Sequence, residues 1–129
     1  MQWKGIRFYR VNAESSSDDN FTKLAVNVDI SDLKVNGGGL RIDFSYAVDY
    51  QPGVGKMKFD GYALLGGTKA ELDAAQNGWK KDRSLPKDIA EPLVNIIKFS
   101  AETNGVLVAK ALNMVPPLLA PKIDLKLEK

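Results

Sequence analysis

The sequence contains neither cysteine nor histidine among its 129 residues. Without cysteine the chain can form no disulfide, and it has no thiolate nucleophile and no thiolate ligand for zinc. Without histidine it lacks the side chain that most often acts as a general acid or base near neutral pH, and the commonest nitrogen ligand for metals. We therefore predict that the protein is not an enzyme, with no catalytic residue, no metal site and no cofactor.

An excess of charge of one sign is also missing, because 18 basic side chains stand against 16 acidic ones and the formal net charge is +2. This balance predicts no attraction to nucleic acid or to anionic membranes. Long apolar runs are missing too: Lys98, Glu102 and Lys110 interrupt the most apolar stretch, and the first residues hold no signal peptide. We expect a cytoplasmic protein without membrane insertion, and a single domain over residues 1–129.

Alternating apolar side chains in the first half of the chain predict β-strands. The clearest case is "LRIDFSYAVDY" at 40–50, where every even position is apolar or aromatic, as in a strand with one buried face. Residues 23–30 and 56–65 alternate in the same way. Glycine-containing turns at 36–39 and 51–55 separate the three stretches, which predicts an antiparallel meander.

The opening stretch, residues 4–15, alternates less regularly. Ile6 and Phe8 fall on one side of an extended chain, while Tyr9 and Val11 fall on the other. We interpret it as a fourth strand that is partly buried on both faces.

Helical signals begin after residue 66. Thr68 stands three residues before Glu71, the spacing of a capping box at a helix start. A second, longer helix is predicted from Pro86, with a kink or break expected at Pro92 or at the Asn104-Gly105 pair. Strands first and helices afterwards indicate an α+β domain, with a four-stranded antiparallel sheet and two helices packed on one face.

Two loops resemble functional motifs. "GYALLGGTKAEL" nearly matches a phosphate-binding loop, but Gly67 stands where the phosphate-binding lysine is required, and the neighbouring strands are predicted to be antiparallel. We therefore interpret Gly66 and Gly67 as a turn and Thr68 as a helix cap. "SSSDDN" at 15–20 is interpreted as a solvated loop and not as a cation site, because it lacks flanking apolar structure.

The chain closes with "NMVPPLLAPKIDLKL" at 113–127, in which three prolines prevent a helix while the apolar side chains need cover from water. This segment, together with the order of four strands, a short helix and a long helix, resembles the SecB family of chaperones. The matching positions of the tail are Leu119, Ala120, Pro121 and Asp124. Asn95 and Glu102 are similar to the two ends of a conserved helical motif of the same family.

The resemblance implies a dimer or a tetramer that binds unfolded or nascent polypeptides in apolar grooves. The predicted client-binding residues are Phe21, Leu24, Val115, Leu118 and Leu119. The predicted oligomer interface is Trp3, Ile6 and Phe8. For each tail residue the alternative is that it simply completes the core.

Three functions follow in order of preference. The first is a holdase for extended chains, either general or dedicated to one client such as an antitoxin. A role in export is disfavoured because acidic residues of the strands, such as Asp43 and Asp60, are mixed with basic ones, such as Arg41 and Lys58. The second is a small cytoplasmic protein-binding module or assembly subunit without chaperone activity, and the third is a hydrolase that uses carboxylates alone.

Overall fold

The computed structural model describes residues 2–17 and 19–115, and it contains four strands followed by two helices. The strands are β1 (Gln2–Ser15), β2 (Lys23–Asn36), β3 (Gly39–Gln51) and β4 (Gly55–Gly66), and the helices are α1 (Lys69–Asp82) and α2 (Lys87–Ala111). The predicted α+β class and order of elements are confirmed. The tail from residue 116 onward lies outside the described residues.

The four strands form one antiparallel sheet in the order β1-β4-β3-β2. β2, β3 and β4 form the predicted meander, and the turn between β2 and β3 uses Gly37 at a φ of 64°. β1 pairs with β4, so the link from β1 to β2 crosses the end of the sheet. This link is held there because the backbone N–H groups of Ser16 and Ser17 donate to the Val54 carbonyl at 2.8 and 3.2 Å. β1 and β2 are the two edges.

The core lies between the sheet and the two helices. The even positions of β3 are buried as predicted: Leu40, Ile42, Phe44, Tyr46, Val48 and Tyr50. On α2, every fourth residue faces the sheet: Ile89, Leu93, Ile97, Ala101, Gly105 and Ala109. The row changes from large to small side chains along the helix, which lets its C-terminal half lie closer to the strands.

α1 begins as the sequence predicts. Glu71 N–H donates to the Thr68 hydroxyl at 3.2 Å, and Thr68 N–H donates to the Glu71 carboxylate at 2.9 Å. This reciprocal pair is a capping box, so the threonine and the glycines before it serve the helix start. No helix in the described ranges is both long and apolar enough to cross a membrane.

Of the predicted kink or break in the second helix, the break is wrong, since α2 is one helix from Lys87 to Ala111. Pro92 lies in the second turn, where it removes the hydrogen bond that its own N–H would make to the Asp88 carbonyl, and the helix nevertheless continues past it. Gly105 is buried against the sheet, and tertiary packing there outweighs its low helix propensity.

The face of the sheet predicted for each β1 side chain is wrong at one position, Val11. The register against β4 shifts between Phe8 and Arg10, so Tyr9 is an extra residue in a β-bulge. After the bulge Val11 pairs with the buried Phe59 and therefore returns to the helix side, the side of Ile6 and Phe8. Simple alternation failed here because it counts every residue as one step of the ladder.

Candidate functional site

A recess opens where α2 ends, beside the link between β1 and β2. Its volume is about 400 Å³. We call it the helix-end recess and define it by its apolar lining: Phe21, Tyr50, Val54, Leu112, Met114 and Val115. Polar side chains of the link, Ser15, Ser17, Asp19 and Asn20, complete it. With Asn113 included, polar groups contribute more of the recess surface than the apolar ones do. The apolar part can still take up apolar side chains of many shapes, because burial is not directional.

Tyr50 lies at the centre of this recess. It is the last buried residue of the alternating row on β3, and Leu24 faces it across the β2–β3 ladder. The Phe21 ring meets the Tyr50 ring edge to face, with centroids 5.3 Å apart. The Tyr50 hydroxyl donates to the Val115 carbonyl, and burial raises the pKa of this hydroxyl to about 12. The phenol therefore stays a neutral donor that ties residue 115 to the sheet.

The chain turns sharply after α2, which brings it over this recess. Asn113 adopts a left-handed conformation at a φ of 56°, and the Met114 N–H donates to the Ala109 carbonyl at 2.8 Å. Met114 then packs on Gly55, where a Cβ atom would come within 2.6 Å of the methionine Cε. The segment that leads into the proline-rich tail therefore starts at the wall of the helix-end recess.

The structure brings together three of the five predicted client-binding residues. Phe21 and Val115 line the helix-end recess, and Leu24 lies beside it against Tyr50. Leu118 and Leu119 lie outside the described residues. The sequence did not point to Tyr50 as a recess residue, since a periodic strand does not reveal which end of its buried row meets the tail.

The three predicted interface residues lie along β1, an edge that pairs with no second strand within residues 2–17 and 19–115. Trp3, Ile6 and Phe8 are partly buried on the helix side of β1, and Val11 on the same side is 45% exposed. The helices pack mainly on β2, β3 and β4. The four residues thus form an apolar strip beside unpaired backbone groups, which we call the edge strip; such an edge is open to pairing with another chain.

A second apolar surface lies on α2, on the side away from the sheet. Phe99 is 72% exposed and Leu107 is 68% exposed, and they stand eight residues apart on one helix face. Two large apolar side chains at this exposure on one face exceed the scattered single residues of an ordinary surface. This face is therefore a candidate for contact with another protein chain.

Comparison with known proteins identifies the architecture. No family model matches the sequence, and no curated protein matches it. Among solved structures, the chain is similar to the SecB-like chaperone Rv1957 of Mycobacterium tuberculosis, solved with a ChAD peptide from the antitoxin HigA1 (Rv1956), at 15% identity and a TM-score of 0.60. The similarity covers 89% of this chain and 84% of that one. The chain has a SecB-like fold.

Within residues 2–17 and 19–115, no cluster of acidic side chains is arranged to hold a metal ion.

Two polar groups, on Tyr46 and Glu102, are buried within the apolar core between α2 and the sheet. The Tyr46 hydroxyl and one carboxylate oxygen of Glu102 are buried and have no hydrogen-bond partner among the described residues. Burial raises the pKa of Tyr46, and the nearby Glu102 charge adds to the effect. Burial likewise raises the pKa of Glu102, while Lys98 opposes the rise. A buried acceptor without a donor weakens the contact between α2 and the sheet.

These two groups predict a pH-dependent effect of Glu102→Gln. The folded-state pKa of Glu102 is raised above its unfolded-state value, so the folded protein loses stability as the pH rises through the interval between these two pKa values. Above the folded-state pKa the loss of stability is complete and stays constant. The variant should melt a few degrees above the parent at pH 7 and at the same temperature near pH 4. Melting curves of Glu91→Gln, an exposed position on the same helix, provide the control. A difference that is equal at both pH values would contradict this origin.

Proposed function

We propose that this protein is a molecular chaperone of the holdase type that binds extended, unfolded polypeptide in the helix-end recess. The observation that carries the proposal is the meeting of three apolar or aromatic side chains, Phe21, Tyr50 and Val115, at an open recess, directly before the proline-rich tail in the sequence. Leu118 and Leu119 follow Val115 by three and four residues in the sequence. They supply further apolar contacts to the client.

The similar structure supports a polypeptide as the ligand. Rv1957 is solved with a peptide from an antitoxin, so a SecB-like fold is able to hold a segment of another protein. The apolar part of the recess in this chain comes from flexible and aromatic side chains, such as Met114, Phe21 and Tyr50, which favours many client sequences over one. A dedicated client, such as an antitoxin, is the narrower form of the same proposal.

We also propose that the protein acts as a homo-oligomer in the cytoplasm. The edge strip and the exposed face of α2 support self-association, because each presents large apolar side chains next to polar ones. A dimer or a tetramer would cover surfaces that cost free energy in water.

The second candidate is a protein-binding module for one folded partner. The free edges of β1 and β2 favour it, since each can add a strand from another protein. The two functions differ in client breadth. A holdase suppresses aggregation of several unrelated unfolded proteins in light scattering, whereas a dedicated module suppresses none of them.

The tail provides the test within the chaperone. Replacing Leu118 and Leu119 together with serine should remove roughly 1–3 kcal/mol of client binding per side chain, because their apolar area no longer contacts the client. Aggregation suppression should therefore fall while the melting temperature stays within about 2 °C of the parent, since the sheet and α2 hold the fold.

The control for this variant is Leu125→Ser together with Leu127→Ser, which removes the same chemistry farther along the chain. A large fall in melting temperature would show that Leu118 and Leu119 belong to the core. A normal melt with full suppression would contradict their role in client binding.

A further inference from the structure

A second recess lies on the face of the sheet that points away from the helices. Its volume is about 490 Å³, and it sits at the end of the sheet where β1 starts and β2 turns into β3. We call it the sheet-end recess. Tyr62 and Leu64 form its apolar floor, and Lys4 and Arg41 stand at its sides. Leu64 is 40% exposed there, because no described helix covers this face.

Arg41 is held in place before any ligand arrives. Its guanidinium lies over the Tyr62 ring, 4.0 Å from the ring centre, and it binds both carboxylate oxygens of Asp43 at 2.9 and 3.2 Å. Tyr9 stacks on Tyr62 with centroids 6.3 Å apart and donates from its hydroxyl to Asp43 at 3.5 Å. The bulge in β1 places Tyr9 in this position. An arginine and tyrosines fixed in this way bind a partner at a low cost in side-chain entropy.

Lys4 supplies a second positive charge in the lining of the recess. It is the extra residue of the other bulge in β1, and its stem lies across Gly66, where a Cβ atom would come within 2.8 Å of the lysine Cε. Arg7 pairs with Tyr62 across the β1–β4 ladder and adds a third cation on the same face. In the part of the chain that the structure describes, neither Lys4 nor Arg7 forms an ion pair. Because Arg41 is paired with Asp43, the uncompensated positive charge beside the apolar floor comes from Lys4, with Arg7 on the same face of the sheet.

We propose that the sheet-end recess binds an acidic segment of a protein partner, with a carboxylate on Lys4 and a neighbouring apolar side chain on Leu64. The unpaired charge of Lys4 and the apolar floor complement those two groups, while Arg41, already paired with Asp43, holds the Tyr62 ring of the floor in place. Nucleic acid fits less well: the faces of Tyr9 and Tyr62 are stacked on each other and covered by Arg41, so they offer no open platform for bases.

This site is separate from the client site. The helix-end recess opens on the helix side of the sheet, where the buried Tyr50 points, whereas Tyr62 and Arg41 lie on the other face. A client and an acidic partner can therefore be bound at the same time. The inference does not depend on the proposed chaperone function.

The test measures fluorescence anisotropy of a short labelled peptide in which Glu alternates with Leu, at low ionic strength. A second peptide carries Gln in place of Glu. The variant is Lys4→Glu, and the matched control is Lys58→Glu, which makes the same charge change on the same face of β4 but outside the sheet-end recess. Circular dichroism melts confirm that both variants fold.

We expect the Glu peptide to bind the parent, Lys4→Glu to weaken it about ten-fold or more, and Lys58→Glu to change it less than about three-fold. Aggregation suppression by Lys4→Glu should equal that of the parent, and an unfolded client should not displace the peptide. Equal binding of the Gln peptide, equal weakening by both variants, or displacement by the client would each overturn the proposal. The proposal would also be overturned if a labelled oligonucleotide bound the parent protein more tightly than the peptide does and bound the Lys4→Glu variant less tightly.

Discussion

Replacing Gly61 with valine is expected to cost at least about 4 kcal/mol of folding free energy, a large part of the stability of a domain of this size. A Cβ atom at this position would point toward the helices and collide with the Arg7 carbonyl of the neighbouring strand. It would also lie 3.0 Å from ring atoms of both Phe8 and Phe44. These two rings meet edge to face at 5.9 Å above the glycine, so β1 cannot keep its place on β4.

Urea denaturation of Gly61→Val and of Gly38→Ala checks this expectation. Gly38 lies in the turn between β2 and β3, where an added Cβ has no neighbour within 4 Å, and its replacement should change stability by less than about 0.5 kcal/mol. A valine variant as stable as the parent would show that β1 does not pack on β4 in this register.

Changing Phe99 and Leu107 together to aspartate is expected to dissociate the oligomer. If the exposed face of α2 packs against another copy, each side chain contributes roughly 1.5–3 kcal/mol per subunit, and a buried, unpaired charge adds a further penalty. The mass from light scattering after size exclusion should fall from a multiple of the subunit to the 14.1 kDa monomer at micromolar concentration. Both positions are exposed in the single chain, so the melt of the monomer should remain cooperative.

The control adds the same charge on the other helix, by changing the exposed residues Ala74 and Asn77 of α1 to aspartate. It should leave the mass unchanged. A parent protein that is already a monomer would contradict self-association. An aspartate variant that stays assembled would place the interface elsewhere, with the edge strip of Trp3, Ile6 and Phe8 as the next surface to alter.

The local parts of this fold are predictable because their signals lie within a few residues of one another. Alternation over 40–50 predicts a strand with one buried face, and the structure buries every even position. Thr68 and Glu71, three residues apart, predict the start of α1, and both hydrogen bonds of the capping box form between them. In each case the residues that determine the local structure are close together in the sequence.

The features that escaped prediction depend on register between distant segments. Val11 changes sides because β1 bulges against β4, a strand some 50 residues later. The cluster of Tyr9, Tyr62 and Arg41 forms only once three strands are aligned, so none of its members stands out alone. α2 continues through Gly105 because packing on the sheet outweighs local propensity.

The candidate site was predictable in part for the same reason. Phe21 and Val115 were expected to bind clients, and the structure places them in one recess. Tyr50, which joins them, was seen only as a buried strand residue. Its hydrogen bond to residue 115 spans 65 positions of the chain and has no local signature.

The most direct test of the chaperone account is site-specific photo-crosslinking to a permanently unfolded client. A photoreactive phenylalanine derivative replaces Val115 at the helix-end recess, or Lys58 on the opposite face of the sheet as the comparison. The side chain at 115 can be exchanged because the hydrogen bond from Tyr50 uses its backbone carbonyl. The account predicts strong crosslinking of the client from position 115 and little from position 58. Crosslinking from position 58 alone, or from neither position while the protein still suppresses aggregation, would contradict it.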